Sequence, residues 1–521
     1  MFVGNENIIS VAEALIALVV FLLVLSITRS FRKKIPPGLK RLPGPVAYPL
    51  IGNIVQMGKN PHLSFNRMRG KYGDVMQVHI GMRPVLVLSG LETIKQALVK
   101  QGEEFMARPD LYTFNMIADG QSLTFGRDTE AVWRVRKKLA QNALKTFSSA
   151  PSLTSASSCI VEEHVSEEAS YLVTKLLQVM EEKGRFCPYR YVVISVANVI
   201  CAVTFGKRYS HDDKELLDII HLMDEAEKAT GLGNLADFIP VLQYLPNPLM
   251  KRFKALVMNF NAFLQKNINR HYESFNKDHI RDITDSLIAQ SQDMKFLAKN
   301  SIQLPEQKIV NLVNDLVGAS FDTVTAGLSW CIMYLVSFPE IQKKIQKELD
   351  QTIGKERTPR LSDRALLPYA EAFILEVFRH SSYVPFTIPH CTTKDTSLNG
   401  FYIPKDLCVF VNQWQVNHDE TLWEDPSSFN PDRFLSADGT EIDRAESEKV
   451  MLFGMGKRRC IGENLARWEV FLFLTTLLQR LEFTVSDGER VNMTPEYGLV
   501  MKPKKCENLQ VRERFPRQSS E

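Results

Sequence analysis

The chain has 521 residues, is 45% hydrophobic and carries a net charge of +3. That length can bury a large core, and so small a charge argues against a polyanionic partner such as nucleic acid. Eight cysteines (Cys159, Cys187, Cys201, Cys331, Cys391, Cys408, Cys460 and Cys506) are scattered without a C-x-x-C pair. Their spacing excludes a disulfide framework and a zinc site, and suits a reducing compartment.

Ile8 to Thr28 reads IISVAEALIALVVFLLVLSIT, with Glu13 its only charge. At about 1.5 Å per residue, such a helix matches a hydrocarbon core about 30 Å thick. Arg29, Arg32, Lys33 and Lys34 follow at once, which places this flank and everything after it in the cytoplasm. No basic stretch precedes the apolar run, so it reads as an anchor and not as a cleaved signal. Pro36 to Pro45, PPGLKRLPGP, holds four prolines and two glycines and reads as a stiff spacer. The organisation expected is an anchor over 1–28, a basic and proline-rich linker over 29–50, and one large unit over 51–521.

Met76 to Ile80 and Val85 to Leu88 alternate as strands around Gly81-Met82-Arg83-Pro84, a hairpin. Apolar residues recur at helical spacing over Trp133–Leu144, Tyr171–Glu181, Ile309–Phe338, Glu340–Ile353, Tyr369–Arg379 and Asn464–Leu481. Cys408 to Trp414, CVFVNQW, reads as another strand. The fold class expected is mainly α with small β-sheets.

One cysteine differs from the rest. Phe453 to Glu463 reads FGMGKRRCIGE, an F-x-x-G-x-R-x-C-x-G pattern filled by Phe453, Gly456, Arg458, Cys460 and Gly462. Five such positions match by chance in a chain this long with a probability of ~0.0002. A thiolate at Cys460 suits haem iron and favours O–O cleavage. Gly456 and Gly462 permit a tight turn and a close approach, Phe453 shields the sulfur, and Arg458 offers a fork of donors to a propionate. The helix starting near Asn464 places Cys460 just before an N-terminus, where negative charge is stabilised.

This motif resembles the haem loop of the cytochrome P-450 superfamily, and the superfamily's other motifs follow in order. Glu376-Val377-Phe378-Arg379 matches its E-x-x-R, and Phe429, Pro431, Arg433 and Phe434 match F-x-P-x-R-F. The resemblance implies the superfamily's fold, with haem b between a long central helix and the cysteine loop. It also implies a buried Glu376–Arg379–Arg433 triad behind that loop. Ala319-Ser320-Phe321-Asp322-Thr323 resembles [A/G]-G-x-[D/E]-T, where the helix opens over the iron. Thr323 would hold water near dioxygen and Asp322 would help deliver protons. Taken by itself, Thr323 could equally bond back to its own i−4 carbonyl. Ser320 departs from the usual glycine, which bears on rate and coupling. Trp133 and Lys137 resemble a W-x-x-x-R propionate clamp with lysine in place of arginine. Arg108 and His390 are implied to complete the propionate shell.

Arg134, Arg136, Lys137, Lys138, Lys457 and Arg459 are expected to form a basic face on the cysteine side. The resemblance implies an acidic flavoprotein partner there, NADPH–cytochrome P-450 reductase, with cytochrome b5 as a second partner and membrane lipid as a third. Long stretches, among them Leu88–Tyr112, Arg190–Asp213 and Val411–Ile442, are similar to vertebrate family 1, subfamily A. That likeness implies an endoplasmic reticulum enzyme with its catalytic unit in the cytoplasm. It would hydroxylate, epoxidise or O-dealkylate planar aromatic xenobiotics and polycyclics, with steroids, fatty acids and retinoids among further substrates. Thr124, Phe125, Phe260, Asp315, Ala319, Asp322, Val384, Ile388 and Leu499 are implied to line the pocket. Ala226 and Leu256 stand where two phenylalanines are expected, so the slot should be roomier and less selective. A haem-thiolate isomerase and a non-catalytic haem sensor are the rival readings.

Overall fold

The helix Glu306–Ser337 runs 32 residues through the middle of the molecule, about 48 Å at 1.5 Å per residue. In the computed structural model the described residues are 13–23, 35–129, 131–147, 159–230, 234–293, 305–486 and 488–515. This central helix is long and apolar enough to cross a membrane, but 72% of its most apolar window is buried inside the protein. It ends at Phe338, because the Pro339 that follows opens the next helix, Pro339–Thr352. Of the apolar run Ile8–Thr28, the described part is a helix over Glu13–Leu23; the remainder lies outside the described residues.

Around the central helix pack Tyr189–Phe205, Pro248–Ser274, Pro368–Ser381 and the helix after the cysteine, Glu463–Arg480, with Ile160–Lys183 packed on the first and last of these. One cluster of buried apolar side chains joins them all, with Trp330 at its centre donating its indole N–H to the Met501 carbonyl at 2.9 Å. Besides two C-terminal two-stranded sheets, Leu481–Val485 with Leu509–Glu513 and Pro495–Glu496 with Lys502–Pro503, the described strands are β1 Val75–Ile80, β2 Arg83–Leu88, β3 His390–Cys391, β4 Thr396–Leu398, β5 Phe401–Ile403 and β6 Cys408–Val411. They make a sheet of order β1-β2-β6-β3, with β2 and β6 parallel, and a separate hairpin β4-β5. The β1–β2 hairpin turns through Gly81 at φ +57°. All eight cysteines are free.

Two sequence expectations change. CVFVNQW is a strand only to Val411, because the Asn412 side chain accepts from the Gln415 N–H and starts a short helix, Gln413–Asn417. The proline-rich segment is no bare spacer either. Lys40 N–H bonds the Gly400 carbonyl at 2.9 Å, and Pro43 accepts from Gln77 at 2.7 Å. Gly44 lies so close to β1 that a Cβ would sit 1.9 Å from the Gln77 carbonyl oxygen. The catalytic unit therefore reaches back to about residue 40.

Behind the cysteine loop, Glu376 and Arg379 are fully buried. Arg379 Nε and Nη2 donate to the two Glu376 oxygens at 2.6 and 2.8 Å. Its other donors reach the Asn417, Pro426 and Ser428 carbonyls, so all five guanidinium N–H groups are used. Arg433 Nε adds a third contact to Glu376 at 3.2 Å. The cluster ties the helix Pro368–Ser381 to the irregular 417–433 segment that leads into the cysteine loop. Lysine at 379 cannot reproduce a five-donor fork. Arg379→Lys is therefore expected to lose about 3–5 kcal/mol in denaturant unfolding, the cost of breaking a buried pair.

At the far edge His271 Nε2 faces Asp282 at 2.8 Å, while Nδ1 meets the Asn267 carbonyl. Burial alone would lower the imidazole; the Asp282 carboxylate outweighs it and raises the group above its ordinary 6.5. A group raised by folding stabilises fully below its unfolded value and loses that contribution as pH rises through the folded value. His271→Gln should therefore lower Tm most near pH 6, and the gap to wild type should narrow above neutrality.

Candidate active site

A cavity of about 470 Å³ lies between the central helix and the cysteine loop. Its lining includes the cations Arg108, Lys137 and Arg458, the Cys460 sulfur, and apolar side chains such as Phe125, Phe260 and Leu499.

The cysteine loop is built backwards from its glycines. Gly456 takes φ +69°, and a Cβ there would lie 1.8 Å from the Leu98 carbonyl oxygen. Cys460 N–H bonds the Phe453 carbonyl at 2.9 Å, which closes the loop. Gly462 is the N-cap of Glu463–Arg480 and stands beside the Cys460 sulfur. Burial pushes the Cys460 thiol up, against the pull of the Gly462 N–H. The Phe453 ring packs edge-on to Phe378 and lies under Arg467 at 5.0 Å, closing one side of the loop.

The cationic lining has a physical problem that protein alone does not solve. Arg108 and Arg458 both line the cavity, and no ion pair joins either to a carboxylate among the described residues. Arg108 donates to the Thr124, Ile388 and Pro389 carbonyls; Arg458 donates to those of Met106, Leu123 and Asp128. Burial, then the neighbouring Arg458 charge, pushes Arg108 well below the usual range, and burial lowers Arg458 to about 10. Two buried like charges call for an anion between them. His390 Nδ1 is held by the Phe105 carbonyl at 2.9 Å, and burial and Arg108 keep the ring neutral. The residues present fit a haem: Arg108 and Arg458 would hold its carboxylates, and Cys460 as a thiolate would ligate its iron.

Two expected clamp residues act less directly. The Trp133 indole N–H is already donated to the Leu123 carbonyl at 3.0 Å, so the ring serves as a platform 4.0 Å beneath the Arg458 guanidinium. Lys137 Nζ bonds the Lys457 carbonyl and hangs over the same ring. Arg136 does not join the basic face. It is buried and donates to the Gln121 carbonyl at 2.6 Å, because its helix turns that position inward. Arg134, Lys138, Lys457 and Arg459 are exposed there, with Glu103 bridging Arg134 and Lys457.

Above the cysteine the central helix continues unbroken across 319–323, contrary to the expected opening. The Ser320 hydroxyl bonds the Leu316 carbonyl at 2.7 Å and the Thr323 hydroxyl bonds that of Ala319 at 2.9 Å. These back-bonds satisfy both hydroxyls within the helix. Asp322 pairs with Lys502 at 2.7 Å; burial raises its carboxyl and Lys502 opposes that. Lys502 also bonds the Tyr189 hydroxyl at 3.0 Å, and Tyr189 donates to Asp224 at 3.1 Å. Sequence reasoning missed this lysine, which is remote in the chain and carries no motif.

The expected pocket residues Thr124, Phe125, Phe260, Asp315, Ala319, Val384, Ile388 and Leu499 all border the cavity. Asp315 spends its carboxylate on the Leu123 and Thr124 N–H groups and the Ser122 hydroxyl, so it shapes the wall. Phe260 lies 3.8 Å from where a Cβ on Gly318 would stand, and Phe125 pairs with Phe114 at 4.9 Å. Leu256 lines the slot; the Ala226 side chain lies outside the described residues.

Comparison with known proteins agrees with this geometry. The family model described as Cytochrome P450 matches residues 42–509. "Cytochrome P450 1A5" of Gallus gallus is 61% identical over 99% of this chain and 98% of its own length. "Cytochrome P450 1A1" of Felis catus is 59% identical over 97% and 98%, and that of Chelon saliens 58% over 96% of both chains. The thiolate loop and the paired guanidiniums thus have the same explanation as the likeness in sequence: the chain belongs to the cytochrome P450 family, in its 1A branch, and is a haem-thiolate monooxygenase.

Proposed function

We propose that this enzyme inserts one oxygen atom into flat, hydrophobic aromatic substrates, using electrons from NADPH passed on by a membrane-bound flavoprotein reductase. The observation that carries the substrate class is the state of the slot's polar groups. Asp315 is bound by the 122–124 loop, Gln413 donates to the Val384 and Leu452 carbonyls, and Asn314 donates to Asn261. Most of what remains for a substrate is apolar contact, against Phe125, Phe260, Val384, Ile388 and Leu499. A molecule needing fixed hydrogen bonds would leave them unmade.

When bound, the haem supplies oxygen activation; the chain supplies position and protons. Arg108, Arg458 and His390 orient the group at its carboxylates. Cys460 would hold its iron, and Ala319 and Thr323 line the same cavity on the central helix. Thr323 donates its hydroxyl proton to Ala319, so its oxygen faces the cavity as an acceptor for water. Asp322 holds or yields a proton according to its pairing with Lys502. The exposed Arg134, Lys138, Lys457 and Arg459 lie beside the cysteine loop. They suit an acidic partner whose encounter is speeded by complementary charge. Cytochrome b5 fits the same surface.

A second surface supports a membrane setting at the endoplasmic reticulum, with the catalytic unit in the cytoplasm. Val46, Leu50, Val55, Met82, Val241 and Tyr244 are exposed, and Met82 N–H bonds the Phe238 carbonyl, which joins the two segments into one apolar patch. The anchor expected over Ile8–Thr28 precedes this patch in the chain.

Purified protein with reductase, NADPH and an alkoxyresorufin should release resorufin; a haem-thiolate isomerase or a haem sensor would not. In spectral titrations, Leu256→Phe should bind a flat polycycle about two- to tenfold more tightly, the worth of one aromatic contact. A bulky non-planar ligand should not gain. Equal binding of the flat ligand by both proteins would count against a pinched slot.

A further inference from the structure

Cys391 and Cys408 stand directly opposite one another on the antiparallel strands β3 and β6. Residues so opposed put their side chains on the same face of a sheet. The Cys391 N–H bonds the Ala107 carbonyl at 2.8 Å, on the side away from β6, whereas the Thr392 N–H bonds the Leu407 carbonyl at 3.1 Å. The cysteines therefore occupy a non-hydrogen-bonded position, where opposed Cα atoms lie about 4.5 Å apart. A disulfide spans Cα separations of about 4.4–6.8 Å, so the strands already hold these two within its reach. Both thiols are buried and free. The other six cysteines lie in helices or loops and face no cysteine across a strand pair. β3 itself is two residues long and the last strand of its sheet. It begins with His390, and Arg108 donates to the Ile388 and Pro389 carbonyls just before it.

We propose that Cys391 and Cys408 form a reversible oxidation site, a dithiol that closes to a cross-strand disulfide and staples β3 to β6. The oxidant is a peroxide, and the balance is 2 R–SH + H2O2 → R–S–S–R + 2 H2O. One sulfur takes an oxygen from the peroxide as a sulfenic acid and releases the first water. The other sulfur displaces that oxygen, which leaves with the remaining proton as the second water. A small-molecule thiol reopens the bond by exchange, and in a reducing compartment a bond of this kind is transient. Burial pushes Cys391 up to about 12 and raises Cys408 as well. The closed sheet thus holds little thiolate, and oxidation proceeds through openings of the short edge strand. That makes the site slow to close. Once made, the bond suppresses those openings and steadies His390 and the carbonyls that orient Arg108. The inference concerns the thiols and stands whatever substrate the cavity takes.

The test treats native holoprotein with hydrogen peroxide or, separately, with the dithiol oxidant diamide. Wild type, Cys391→Ala and Cys408→Ala are compared. Remaining thiols are blocked with N-ethylmaleimide before digestion, and the peptides are read by mass spectrometry. The wild type should yield two peptides joined through Cys391 and Cys408 and parted again by dithiothreitol. Their joining should be slower than the oxidation of free glutathione in the same solution. The Tm followed by the Soret band should rise by about 3 °C on oxidation and return on reduction. Neither variant should give the joined peptides or the reversible rise. Three outcomes each overturn the proposal: no joined peptides with either oxidant, joined peptides only after unfolding in urea, or joining without a reversible rise in Tm. A rise that persists in either alanine variant overturns it as well, since another thiol would then be responsible.

Discussion

Arg108 is buried in the cavity wall with the Arg458 charge beside it; burial and that charge hold Arg108 low, while Asp128 and Asp315 offset only part of the burial of Arg458. Each spends its donors on backbone carbonyls, which orients the guanidinium. The segments they tie together are remote in sequence: the 122–124 loop, the 388–390 strand entrance and the cysteine loop. An anionic cofactor held there would do more than occupy the cavity; it would offset the repulsion between the two guanidiniums. That dependence explains why so much of the wall is devoted to a cluster that does no chemistry.

A second rigid point lies on the opposite side of the loop. The Glu376–Arg379–Arg433 cluster fixes the 417–433 segment by hydrogen bonds to its carbonyls, in a stretch with little regular structure of its own. Between these two points the cysteine loop has no freedom to slide. Gly456 against Leu98 is then a steric necessity, since any side chain would meet backbone that cannot move away.

The central helix shows how satisfied hydroxyls preserve regular geometry. Ser320 and Thr323 both bond back one turn, so the segment keeps its helical course beside the cavity where a break was expected. Ser320 stands where the family pattern has glycine, and its hydroxyl bond reinforces the turn that glycine would leave free to open. The cavity's carboxyls stand in three environments: Asp315 on N–H groups, Asp322 on an ammonium, and Glu469 on neither. Environment, and not residue type, sets what each can do.

The chain alone determined the family, the thiolate and the main helices. These rest on local signals: the fixed spacing around Cys460, the 3.6-residue apolar period, and glycine or proline at turns. The six helices expected from periodicity lie within observed helices to within a residue or two at most ends, except Tyr171–Glu181, which is the later part of Ile160–Lys183. Only the tertiary structure decided which charges meet. Lys502 on Asp322, Trp133 under Arg458, and Arg136 turned inward all depend on contacts between segments far apart in the chain. The solitude of Glu469 and the docking of residues 40–44 on β1 do as well. A sequence states which groups a protein has. Whether each is paired, desolvated or left without a partner depends on long-range packing, and that sets its charge and chemistry.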